Sequence, residues 1–92
     1  MRLQWTELAK HDLSVICDYT EQHDGAEAGR QLVLRIYDRL STLSQFPHAG
    51  RPGRKRGTRE LVFLGLPFLA IYRVREDLVE VIRILHGAQR WP

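Results

Sequence analysis

An α+β fold follows from two observations. The first half of the chain carries apolar residues at three- and four-residue spacing in two successive stretches, and the second half changes to runs rich in Val, Ile, Leu, Phe and Tyr divided by turn residues. Helices gathered ahead of strands bury their apolar stripes against one face of a small sheet. The predicted order is β-α-α-β-β-β, a helical hairpin packed on one face of a small antiparallel sheet. The 92 residues form a single domain, 1–92, since a chain of this length has room for one core.

Residues 2–5 read as a short strand, because Leu3 and Trp5 alternate with polar neighbours, and Thr6 then offers a helix N-cap. Across 7–22, Ala9, Leu13, Ile16, Cys17 and Thr20 form one stripe of a helix that ends near His23. Asp24 and Glu27 fit a capping box for a second helix, whose stripe of Leu32, Val33, Ile36, Leu40 and Leu43 runs toward Phe46 and stops at Pro47. A link this short makes the two helices antiparallel. Pro47-His48-Ala49-Gly50-Arg51-Pro52-Gly53 is turn chemistry. Strands are expected over 58–64, 68–75 and 78–86, parted by Gly65-Leu66-Pro67 and Glu76-Asp77.

Composition narrows the function. Hydrophobic residues make up 43% and charged residues 27%, the balance of a folded domain. Cys17 is the one cysteine, and no Cys or His pair has zinc-ligand spacing, so neither a disulfide nor a metal or other cofactor is expected. Met1 leads straight into Arg2-Leu3-Gln4-Trp5, without the apolar run of a signal peptide or a membrane span, so a cytoplasmic location is expected. The net charge of +3 and pI near 9.5 suit an acidic partner or a nucleic acid.

Distribution sharpens this lead. Arg51, Arg54, Lys55, Arg56 and Arg59 place five of the fourteen basic residues in one loop. In 68–75, Phe68, Ala70, Tyr72 and Val74 alternate with Leu69, Ile71, Arg73 and Arg75, so Arg73 is expected to face away from the helices. In the last strand Arg83 alternates with Val81 and Leu85, while Ile82 and Ile84 lead on the other side to His86. If Arg73 and Arg83 share the uncovered face, they extend the basic loop into a groove for a phosphate backbone or an acidic peptide. Ion pairs with Glu60 or Glu80 would satisfy these arginines equally well, and a charge run is ordinarily a solvated loop. With both on an exposed face, replacing either by Ala is expected to weaken function more than stability.

Three segments carry a family resemblance: Gly57-Thr58-Arg59-Glu60-Leu61-Val62, Ile71-Tyr72-Arg73-Val74, and Val81-Ile82-Arg83-Ile84-Leu85-His86-Gly87-Ala88-Gln89-Arg90-Trp91-Pro92. With Trp5, Asp12-Leu13, Ile16, Phe46-Pro47 and Gly50-Arg51, in this order and spacing, the chain resembles RelE/ParE-superfamily toxins of type II toxin-antitoxin systems along essentially its whole length. The resemblance implies a growth-inhibiting toxin neutralised by a cognate, ParD-like antitoxin that folds on its surface and alone contacts operator DNA.

Two outcomes exist in that superfamily. RelE-type members cleave mRNA on the ribosome, and ParE-type members inhibit DNA gyrase. RelE-type nucleases commonly carry an arginine three residues before the tyrosine of the middle strand, where this chain has Leu69, and an Arg or His after the glycine ending the last strand, where it has Gln89. The sequence is therefore similar to the ParE branch, with gyrase as target and no catalytic residue expected. The alternative is a nuclease using Arg59, Arg83 and His86, with His48 and Glu60 as further candidates. Target or antitoxin contacts are expected at Arg51, Arg54, Lys55, Arg56, Arg59, Arg73, Arg83 and Trp91. Trp5, Trp91, Phe63, Phe68 and Tyr72 read first as core aromatics, and Cys17 as packing.

Overall fold

The structure is a computed structural model describing residues 1–87 and 89–92; Ala88 of the terminal motif lies outside the described residues. The elements are β1 (Arg2–Trp5), α1 (Glu7–Asp24), α2 (Ala26–Ser41), a 3-10 turn (Thr42–Ser44), β2 (Arg51–Pro52), β3 (Arg59–Val62), β4 (Phe68–Arg75) and β5 (Leu78–His86). Sequence order and spatial order differ, because the sheet runs β1-β5-β4-β3-β2. β2 to β5 form an antiparallel series, whereas β1 joins β5 in parallel, so the five-stranded sheet is mixed rather than purely antiparallel. The helical hairpin between β1 and the later strands supplies the crossover that parallel pairing requires.

Local signals account for most boundaries. Thr6 caps α1, its hydroxyl accepting from the Ala9 amide at 3.0 Å. The capping box expected at Asp24 and Glu27 does not form. Asp24 ends α1, Gly25 is both its C-cap and the N-cap of α2, and the Glu27 carboxylate turns to Arg30 and Gln31. With φ at 96°, Gly25 takes a backbone conformation that a side chain disfavours, so a single residue reverses the chain. The second helix also stops earlier than Pro47, since α2 tightens into the 3-10 turn after Ser41. β3 is shorter than the expected 58–64, because Phe63 begins the turn into β4.

The core lies between the helices and the sheet. Ala9, Ile36, Leu40 and Leu43 pack against Leu61, Phe63, Ala70, Tyr72, Val79, Val81 and Ile84. The alternation read along β4 holds: Ala70 and Tyr72 join this core, while Leu69 and Ile71 form a second cluster with Leu85, flanked by Ile82 and Trp91. β5 departs from simple alternation. Ile71 pairs with Arg83 but Tyr72 with Val81, leaving Ile82 as the extra residue of a β-bulge. An inserted residue shifts the facing pattern by one, so Val81 and Ile84 share the helix side, and Ile82 and Leu85 share the other.

Candidate functional site

The basic loop folds around a buried carboxylate. Glu60 on β3 is 3% exposed, and it accepts from the Arg51 guanidinium at 3.1 Å and the Arg54 amide at 3.1 Å, with Arg54 Nε at 3.4 Å. A buried carboxylate needs such partners, which fixes the loop's path. Gly53 donates to the Thr58 carbonyl at 2.8 Å and packs so tightly there that a Cβ would lie 2.3 Å from the Thr58 hydroxyl. Arg59 donates to the Gly50 carbonyl at 2.8 Å. The Tyr72 hydroxyl anchors the loop's start, accepting from the Gly50 amide and donating to the Pro47 carbonyl, both at 2.8 Å.

These contacts divide the expected basic residues into two groups. Arg51, Arg54 and Arg59 are engaged in building the loop. Lys55 and Arg56 are exposed, and among the described residues their side chains have no hydrogen-bond or ion-pair partner. They line a groove of about 330 Å³ with Arg73, Arg75, Ile82 and Trp91. Arg75 is likewise unpartnered, and Arg73 is tethered through Nε to Glu80, its cross-strand neighbour, at 2.9 Å. Trp91 packs on the second apolar cluster, and Arg54 reaches the Gln89 carbonyl at 3.3 Å, joining the tail to the loop. The groove thus combines concentrated positive charge with an apolar wall, features that attract acidic, amphipathic segments.

Arg83 does not join this groove. Its Nε and Nη2 donate to the Asp12 carboxylate of α1 at 2.7 and 2.9 Å, and Asp12 also accepts from the Ile84 amide at 3.0 Å. The hydrogen bonds to Asp12, opposed by desolvation and aided by the charge of Asp12, hold the Arg83 guanidinium protonated above its ordinary range. The groove expected from Arg73 and Arg83 together is therefore corrected: the register sets Arg83 opposite Ile71, but its guanidinium turns to the Asp12 carboxylate of α1, and Arg75 lines the groove instead. The expectation that replacing Arg83 affects function more than stability falls with it.

The alternative nuclease residues are strung out along the sheet. Arg59 sits opposite Tyr72, Arg83 opposite Ile71 and His86 opposite Phe68. Four residues of strand, about 13 Å, separate the first and last of these positions along β4. The exposed His86 ring lies edge-on to Phe68 at 6.0 Å, and its amide donates to Gln89 Oε1 at 2.7 Å. Leu69 is buried in the second cluster. Sequence reading passed over Asp12 as an organising residue and Arg75 as a groove cation. Arg75 was legible from its alternation with Arg73, whereas Asp12 differs from other helix carboxylates only through its distant partner.

With this geometry, the sequence matches the family model described as ParE toxin of type II toxin-antitoxin system, parDE, over residues 3–91. The chain belongs to the ParE toxin family. It is 38% identical over 91 residues to protein Y4kP of Sinorhizobium fredii, covering 99% of this chain and 93% of that protein. It is 35% identical over 85 residues to toxin RelE2 of Caulobacter vibrioides, covering 92% of this chain and 93% of that toxin. A solved chain of the chromosomal ParDE system from P. aeruginosa superposes with a TM-score of 0.86 at 34% identity, over 91% of this chain and 92% of that one. The RelBE2 toxin-antitoxin complex of Mycobacterium tuberculosis shares the fold at a TM-score of 0.64 and 18% identity, over 96% of this chain and 92% of that one. This ParE-family chain is accordingly the toxin component of a type II toxin-antitoxin system, with the α+β fold of the RelE/ParE superfamily.

Proposed function

We propose that this toxin inhibits DNA gyrase without cutting nucleic acid itself, and that a cognate antitoxin in the same cytoplasm neutralises it by ordering an acidic, amphipathic segment on the basic sheet face. The observation that carries the reading is the groove between Lys55, Arg56, Arg73 and Arg75 and the apolar wall of Ile82 and Trp91. Three of its four cations have no side-chain partner among the described residues, so they are available to carboxylates without first breaking internal contacts. A disordered acidic segment folding there would gain charge-assisted hydrogen bonds and bury apolar surface, offsetting the entropy of ordering. The ParE family match and the ParDE structural relative support both the antitoxin and the gyrase branch. Against the RNA-cleaving alternative stand the buried Leu69 and the engagement of Arg59 and Arg83 in structural contacts.

The test is a gyrase supercoiling and DNA-cleavage assay with purified toxin, alone and with its antitoxin. Inhibition or trapped cleaved DNA, reversed by the antitoxin, is expected. An untouched gyrase beside ribosome-dependent cleavage of mRNA would overturn the reading and make Arg59, Arg83 and His86 the residues to replace.

A further inference from the structure

Charge is divided between the two layers of the molecule. The helices α1 and α2 carry seven carboxylates against four cations, whereas the rest of the chain carries ten cations against four carboxylates. The domain is therefore a dipole, acidic on its helical side and basic over the sheet and its loops. Such a distribution turns the sheet toward an extended anionic surface before contact is made, an effect that salt screens.

On the basic side the cations line more than one depression. The groove holding Lys55, Arg56, Arg73 and Arg75 meets a second hollow of about 280 Å³, beside His48 and Arg59, at Gly57, Thr58 and Val74. Among the described residues, neither is lined by a carboxylate. Arg73 and Arg75 lie two residues apart on one side of β4, about 6.6 Å along the strand, a step comparable with that between successive phosphates of a nucleic-acid backbone. No helix projects from this face, because both are packed against the other side of the sheet. A trough of cations without a projecting helix suits contact with phosphates rather than reading of base edges.

We propose that this trough binds the phosphodiester backbone of duplex DNA, independently of sequence, so that the toxin holds the DNA on which its target enzyme acts. The proposal rests on the gyrase reading above for the source of the DNA, and extends that reading from contact with the enzyme to contact with the enzyme's substrate. The acidic segment of the antitoxin and the DNA then compete for the same cations. Neutralisation includes displacement of DNA.

The experiment is fluorescence anisotropy of a labelled DNA duplex of about 20 base pairs with the purified toxin over a series of KCl concentrations. It is repeated with a trough variant, Lys55→Ala/Arg56→Ala/Arg75→Ala, and with a helix variant of equal net charge, Arg30→Ala/Arg35→Ala/Arg39→Ala. All six replaced side chains are exposed, so Tm is expected to change little. The expected result is duplex binding by the toxin alone, with a slope of log affinity against log salt that the trough variant flattens by about 2.7, about 0.9 for each cation removed, and that the helix variant leaves unchanged. Added antitoxin releases the DNA, and inhibition of gyrase needs at least about tenfold more of the trough variant than of the parent. Absence of duplex binding at low salt, or equal flattening by both variants, overturns the proposal whether or not gyrase is inhibited. Tighter binding of an RNA of the same length overturns DNA as the ligand, and a trough variant that inhibits gyrase at the parent's concentration overturns the role given to the contact. Duplex binding with the expected slopes beside an untouched gyrase supports the trough as a DNA site and overturns the gyrase reading instead.

Discussion

Replacing Asp12 with Ala removes a side chain at the junction of α1 and β5. Its side chain is 10% exposed, that of Arg83 is 24% exposed, and the carboxylate accepts from both the guanidinium and the Ile84 amide. Breaking a fully buried pair by removing one partner costs about 3 to 5 kcal/mol, chiefly because the other charge is left without compensation. Partial exposure of Arg83 lets water recover some of that loss, whereas the orphaned Ile84 amide adds to it. The expected cost is about 3 kcal/mol, which in a domain of this size lowers Tm by about 12 to 24 °C. Urea unfolding followed by Trp5 and Trp91 fluorescence measures it. Asp12→Asn, which can still accept from Ile84, should lose less, and adding Arg83→Ala to Asp12→Ala should restore part of the stability by removing the uncompensated charge. An Asp12→Ala protein within about 0.5 kcal/mol of the parent would refute the reasoning, and so would a double variant less stable than the sum of the single ones predicts.

Three further outcomes follow from the same structure. Arg73→Ala should cost under about 1 kcal/mol, since its pair with Glu80 is 38% and 24% exposed, yet it should weaken antitoxin binding measurably by calorimetry; equal losses in both would make it structural. Gly50→Ala should destabilise by about 1 to 3 kcal/mol in urea unfolding, because a Cβ would sit 2.7 Å from the Tyr72 ring and 2.8 Å from the Glu60 carbonyl; an unchanged midpoint would show that the loop gives way freely. Cys17 should alkylate more slowly than free cysteine at pH 8 and accelerate as pH rises, because desolvation first, then the charge and hydrogen bond of Glu21, raise its thiol and reduce the thiolate fraction; a rate matching free cysteine would contradict this.

Much of the fold was legible in the chain. Thr6 announced the first helix, the stripe through Leu32, Ile36 and Leu40 announced the second, and alternation along Phe68–Arg75 assigned both faces of β4. These signals are local, because the helical period and the two-residue period of a strand are set by backbone geometry within a few residues. The candidate site was legible as a list of cations but not as an arrangement. Within one basic run, Arg51, Arg54 and Arg59 hold the loop while Lys55 and Arg56 face solvent, and the division is made by the buried Glu60 and the Gly50 carbonyl.

The sequence by itself determined the element types, the hairpin of helices, the concentration of positive charge and the family pattern spread over the chain. Tertiary structure decided which charges are free. Arg83 looks like Arg73 in its strand, but its partner Asp12 lies 71 residues away, on a helix that the fold lays against β5. The parallel docking of β1 on β5 depends likewise on where the helical hairpin returns the chain. A local pattern records what each residue prefers, whereas the pairing of charges and the exposure of an edge depend on which distant groups the fold brings within hydrogen-bonding distance.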